Sequence, residues 1–172
     1  MQTRHTMAEL NALSVEDFVR MVGPVFENSP WIARATSSRR PFEATASLLA
    51  ALCATVSRAT DEQKLDLICA HPDLVGRATL AGTLTSASAN EQAAAGLNKL
   101  TSEETILFQK QNEAYRQKFG FPFVICARLN KKEAIIAGFA QRLQNSREQE
   151  MQVALAEIFK IAQLRLQDLI KE

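Results

Sequence analysis

At Thr60 with Gln63, Ser88 with Glu91, Thr101 with Glu104 and Ser146 with Gln149, a hydroxyl residue precedes a Glu or Gln by three positions. That pairing is the sequence mark of a helix start, because the two side chains satisfy each other's backbone N–H groups. Apolar residues after these marks recur at helical spacing. The chain is therefore expected to be all-α: about eight helices, a long C-terminal one and one short extended segment. Ser14 is expected to cap a helix to Val22, stopped by Gly23-Pro24. A short segment follows around Trp31–Arg34. Pro41 suits the first turn of a helix through Ala59. The helix after Thr60 should end at His71-Pro72, the one after Thr101 at Gly120, and the one after Ser146 at Ile170.

One stretch breaks the period. Phe121-Pro122-Phe123-Val124-Ile125-Cys126-Ala127 is aromatic and β-branched, with a proline that argues against a central strand. It reads as an extended segment, either a packed connector or a run of backbone groups facing a ligand. With 172 residues and no linker or repeat, one domain is expected over residues 1–172, residues 1–10 being flexible.

Lys and Arg total 20 and Asp and Glu 19, a net charge of +1, so no field favours nucleic acid or an anionic membrane. The longest apolar run, Leu48–Cys53, is too short to span a bilayer, and no secretory leader is apparent. Cys53, Cys69 and Cys126 lie among apolar neighbours without metal-ligand spacing, so reduced and mostly buried thiols in a cytoplasmic setting are expected. The ending Ile170-Lys171-Glu172 is not a peroxisomal signal. Two histidines cannot build a His-rich metal site, and there is no phosphate loop or nucleophile elbow. Neither a metal nor a cofactor is expected.

The chemistry centres on His71. The other histidine, His5, lies in the polar N-terminal tail, so His71 is the body's one imidazole suited to proton transfer near neutrality. Pro72 biases it out of helical conformation and presents it at a helix-to-loop junction. By itself the pair reads also as a histidine capping a helix end. Cys69 stands two residues before His71, but is in phase with Leu65 and expected in the core. Asp73 can orient His71 or cap the next turn. Arg165 shares a stripe with Met151, Leu155, Ile158, Ala162 and Leu169, at spacings of four and three. A guanidinium there must reach solvent, pair with an acid or meet an anionic ligand. Ser88 and Glu91, taken alone, are a capping box.

The run His71-Pro72-Asp73-Leu74-Val75-Gly76-Arg77, then Leu84 to Gln92, Ala95-Gly96-Leu97 and Phe119-Gly120-Phe121-Pro122-Phe123-Val124-Ile125, resembles the OHCU decarboxylase family of urate breakdown. The resemblance extends from about Leu13 to Leu169, through Pro30-Trp31 and Arg40-Pro41-Phe42. It implies cofactor-free decarboxylation of 2-oxo-4-hydroxy-4-carboxy-5-ureidoimidazoline to (S)-allantoin. It also implies His71 and Glu91 as catalytic residues, with Pro72, Ser88, Gln92, Phe123, Val124, Ile125 and Arg165 binding substrate. A cytoplasmic homodimer acting on a small molecule would follow. The competing readings are a non-catalytic helical module that binds a ligand or partner helix, and a decarboxylase of a related ureido or hydantoin acid.

Overall fold

The computed structural model describes residues 4–171. Among them lie ten α-helices and no strand; the helices are α1 Met7–Ala12, α2 Val15–Val22, α3 Pro30–Thr36, α4 Thr45–Ser57, α5 Asp61–Cys69, α6 Arg77–Leu80, α7 Ser86–Ala94, α8 Ser102–Phe119, α9 Lys132–Arg142 and α10 Arg147–Leu169. Eight have seven residues or more, and the last, with 23, is the longest, so the all-α expectation holds. The helix marks at Thr60, Thr101 and Ser146 each form their reciprocal hydrogen bonds, and Gly120 ends α8 at φ 80°, where a residue without Cβ is favoured. The chain divides into two compact units, residues 4–70 with 159–171, and His71–Ile158.

The first unit buries Leu10, Phe18, Val22, Phe26, Ile32, Leu48, Leu52, Val56, Leu67 and Ile68. Its N-terminal stretch, expected to be flexible, is tied down from residue 4 onward; the first three residues lie outside the described ones. His5 N–H donates to Leu169 O at 2.9 Å and Lys171 N–H to His5 O at 2.9 Å. Thr6 and Glu9 form a capping box for α1, which the sequence reading did not predict. Pro41 does not open α4. The side chain of Asn11 donates to Phe42 O at 2.8 Å and accepts from Phe42 N–H at 2.9 Å. Both backbone groups of Phe42 are thereby taken by the Asn11 side chain, and the helix starts only after the extended Ala44, where Ser47 Oγ serves the cap. Cys69 is exposed rather than core, because α5 buries Leu67 and Ile68, a different phase from Leu65 and Cys69. Of the three cysteines only Cys126 is fully buried, and none forms a disulfide among the described residues.

The second unit is built on aromatic packing. Phe123 stacks on Phe139 with centroids 3.8 Å apart, and Tyr115 meets Phe123 edge-on at 5.2 Å. Among these rings sits a polar network. The fully buried Glu150 accepts from the Tyr115 hydroxyl, from Arg142 Nε at 2.9 Å and from Asn145 Nδ2 at 2.7 Å. Removing a charged partner from such a network leaves an uncompensated buried charge, which is why its members must be satisfied together. Arg142 Nη1 donates to Val124 O at 2.7 Å, and Cys126 N–H donates to Glu157 Oε2 at 2.8 Å. Segment 121–126 is neither helix nor strand, with Cys126 in an extended conformation, and side chains take up backbone groups that a sheet would have paired.

Candidate active site

Thr60 starts α5 and Ala70 ends it, so His71 is the first residue past the helix, as its proline neighbour predicts. The imidazole is buried at 6% exposure. Its Nε2 atom is buried away from solvent, and the residue is held by interactions within the fold. After it the backbone makes a compact loop, with Gly76 N–H donating to Asp73 O at 3.2 Å. A Cβ on Gly76 would meet Asp73 Cβ at 2.6 Å, so only glycine fits this close approach. Val75 sits at φ 54°, a left-handed conformation that a β-branched residue rarely adopts and that costs ~1–3 kcal/mol.

Helix α7 starts one turn earlier than the sequence suggested. Thr85 is its cap and accepts from Ser88 N–H at 3.3 Å. Ser88 and Glu91 lie inside the helix, so the capping-box reading of that pair fails. Thr85 offers a competing cap three positions ahead, and its hydroxyl takes the Ser88 N–H. Ser88 and Gln92, four residues apart on one face, are buried, and Glu91 beside them is half-buried. Gln92 Oε1 accepts from Val75 N–H at 3.2 Å and from Thr79 Oγ1 at 3.1 Å. The glutamine implied as a substrate ligand thus also braces the loop that carries His71.

Asp73 does not act as a cap. Arg116 Nε donates to both its carboxylate oxygens, at 2.9 and 3.0 Å, and Asn112 Nδ2 donates to Leu74 O at 2.7 Å. Residues of segment 121–126 are packed and tethered: Phe123 and Val124 are buried and Ile125 half-buried. The Arg142 guanidinium lies 4.2 Å over the Phe123 ring while bonding Val124 O. Burial first, and then its bond to Glu150, push the Tyr115 hydroxyl well above the ordinary phenol range. Burial likewise raises the Cys53 thiol.

Arg165 belongs to the other unit. It does not snorkel: its Nη2 lies 2.9 Å from Glu27 Oε2 and its Nη1 donates to Pro24 O at 3.1 Å. Asn112, Arg142 and Glu27 escaped the sequence reading. The signal for the first two was available. Phe108, Asn112, Tyr115 and Phe119 form a buried stripe with one polar member, as do Ile135, Phe139 and Arg142. That is the same pattern that singled out Arg165. Among the described residues no cluster of three or more His, Cys, Asp or Glu has metal-holding geometry.

The fold defines an all-α protein, and it carries a buried histidine on a loop braced by α7 and α8. The model of the OHCU decarboxylase family matches residues 11–167, and the chain belongs to that family. It is 42% identical over 165 residues to 2-oxo-4-hydroxy-4-carboxy-5-ureidoimidazoline decarboxylase of Amia calva, covering 96% of this chain and 94% of the relative. The enzyme of that name from Halalkalicoccus jeotgali is 41% identical, over 97% of this chain and 93% of its own. Among solved structures, (S)-allantoin synthase superposes with a TM-score of 0.78 at 31% identity, over 96% of this chain and 54% of the other.

Proposed function

We propose that His71 and Glu91 are the acid–base pair with which this chain decarboxylates 2-oxo-4-hydroxy-4-carboxy-5-ureidoimidazoline. The reaction, giving (S)-allantoin in urate degradation, is the activity of the chain as a member of its family. The observation that carries the assignment of roles is the buried, loop-borne His71, together with Ser88 and Gln92 presented from one face of α7.

The substrate brings its own electron sink. The carbon that loses CO2 adjoins a ring C=N bond; the electron pair of the breaking C–C bond forms a C=C bond to the ureido-bearing carbon, and the C=N pair moves to the ring nitrogen, which takes up a proton from solvent. The product is an enol. Loss of the hydroxyl proton and delivery of a proton to the ureido-bearing carbon complete allantoin. The protein must hold the substrate, manage the hydroxyl proton and present one face for protonation. His71 takes the hydroxyl proton. Glu91 holds the polar edge of the substrate near the imidazole. Ser88 and the Gln92 amide donate to substrate oxygens, Pro72 walls the imidazole, and the backbone of Phe123, Val124 and Ile125 pairs with the ureido and amide edges. Arg165 takes an anionic or carbonyl group, a task suited to its planar fork. We place the enzyme in the cytoplasm as a homodimer, which light scattering on the purified protein tests; three cysteines without a disulfide fit a reducing compartment.

Supplying urate with urate oxidase and hydroxyisourate hydrolase tests the proposal. Wild-type protein should speed the appearance of optically active allantoin. His71→Asn should abolish that effect with unchanged helical content. Retention of more than about a tenth of kcat would remove His71 from proton transfer, since such roles contribute ~10²–10⁴-fold.

A further inference from the structure

We propose that Asn112 and the Asp73–Arg116 pair are positioning residues that hold the 71–76 loop, and with it the His71 imidazole, in a single arrangement. The inference rests on the acid–base role assigned to His71. Asn112 and Arg116 are four residues apart on α8 and so project from one face, a turn apart. Arg116 grips the Asp73 carboxylate at 2.9 and 3.0 Å, and Asn112 takes Leu74 O at 2.7 Å. Gln92 on α7 takes Val75 N–H at 3.2 Å. Three consecutive residues are thus each anchored from outside the loop, two by α8 and one by α7.

Two further features say that this anchoring has a purpose. Asn112 is 6% exposed within a stripe otherwise made of Phe108, Tyr115 and Phe119, where an apolar side chain would be the default. A buried amide there is costly unless its hydrogen bond is used. Val75 is held at φ 54°, a conformation that persists only where the surroundings over-determine it. The loop begins at the imidazole, so a slack loop would let the ring wander by about the ångström that costs ~10²-fold in rate.

The test measures turnover and the imidazole together. His5→Asn leaves His71 as the chain's one histidine, so its ring resonances are read without ambiguity by 1H–15N NMR. In that background Asn112→Leu should lower kcat by ~10–100-fold with KM within about threefold, and should move the His71 ring signals. Arg116→Ala and Asp73→Asn should do the same more weakly, and Arg116→Lys should recover part of the Arg116→Ala loss. A folded Asn112→Leu protein with wild-type kcat and unmoved signals overturns the proposal. So does a loss that matches the unfolded fraction alone. If Asn112→Leu does not fold, the more exposed Asp73 and Arg116 variants decide by the same two readouts. His71→Asn is run in parallel: turnover kept by that variant defeats the acid–base assignment and this inference together. An inactive His71→Asn beside fully active Asn112, Asp73 and Arg116 variants defeats this inference alone.

Discussion

Glu27 Oε2 lies 2.9 Å from Arg165 Nη2, and the two side chains are 3% and 8% exposed. The guanidinium is charge-balanced, and the Pro24 carbonyl fixes its plane from a second side. An arginine held this way is oriented before any ligand arrives, which limits the rotamer entropy lost on binding. The same pairing makes it a structural residue, so its loss must be read in stability as well as in kinetics.

Arg165→Ala should therefore cost ~3–5 kcal/mol of stability, because it strands the Glu27 carboxylate. Combining it with Glu27→Gln should recover most of that loss, as seen in denaturant midpoints. If Arg165 also clamps substrate, the stable double variant should still bind allantoin or substrate ~30-fold or more weakly, about 2 kcal/mol. A double variant with wild-type KM and kcat would assign Arg165 to the fold alone.

Because Thr85 rather than Ser88 caps α7, stability and catalysis should separate between positions. Thr85→Ala should lower stability by ~0.5–2 kcal/mol with kcat/KM of the folded fraction preserved. Glu91→Gln should melt near wild type yet lose at least ~10²-fold in kcat/KM, about 2.7 kcal/mol. Wild-type turnover by Glu91→Gln would take Glu91 off the catalytic list.

Helix existence was legible where cap chemistry is local: Thr60, Thr101, Ser146 and the Gly120 stop depend on residues within one turn. The misses came from distant partners. Asn11 acts on Phe42 from 31 residues away and delays α4, and the terminal strap between His5 and Leu169 spans nearly the whole chain. At Ser88 the error was local, since two caps competed and no sequence rule ranks Thr85 above Ser88. Helix α9 has no side-chain cap on Lys131 to announce it. In the site, His71 and Arg165 stood out as polar residues where apolar ones are expected. The ion-pair partner Glu27 did not, because a contact made from so far along the chain leaves no spacing to read, and the Asn112 bond to Leu74 O spans 38 residues, so its place in a buried stripe marks the residue but not its partner.

Gly76→Ala should destabilise the protein by ~1–3 kcal/mol and lower kcat with it. The new Cβ meets the Asp73 Cβ at 2.6 Å, and a Cβ fixed to the backbone cannot swing away as the far end of a side chain would. Thermal melting and steady-state rates measure both effects. An unchanged Tm would show that the loop relaxes freely, against the anchored geometry at Asp73 and Leu74.

Tyr115 is the chain's single tyrosine, so tyrosinate absorbance reports it alone. Its hydroxyl donates to Glu150, and burial plus that carboxylate oppose a phenolate; Arg142 nearby offsets this only in part. The folded-state pKa is therefore raised above the unfolded value of about 10. A group raised on folding contributes stability that is fully present below its unfolded pKa and is lost as pH rises above that. Between pH ~10 and the folded value, unfolding releases a proton that the native state retains, so alkali should weaken the fold. Native protein should show no tyrosinate band at the pH where free tyrosine is half ionised. The band should grow only as helical circular dichroism is lost, the two signals moving together. Tyr115→Phe should abolish the band, lose ~1–3 kcal/mol at neutral pH from the broken buried bond, and flatten the alkaline slope. A band that titrates near pH 10 while the helices stay intact would place the hydroxyl in solvent and contradict the Tyr115–Glu150–Arg142 network.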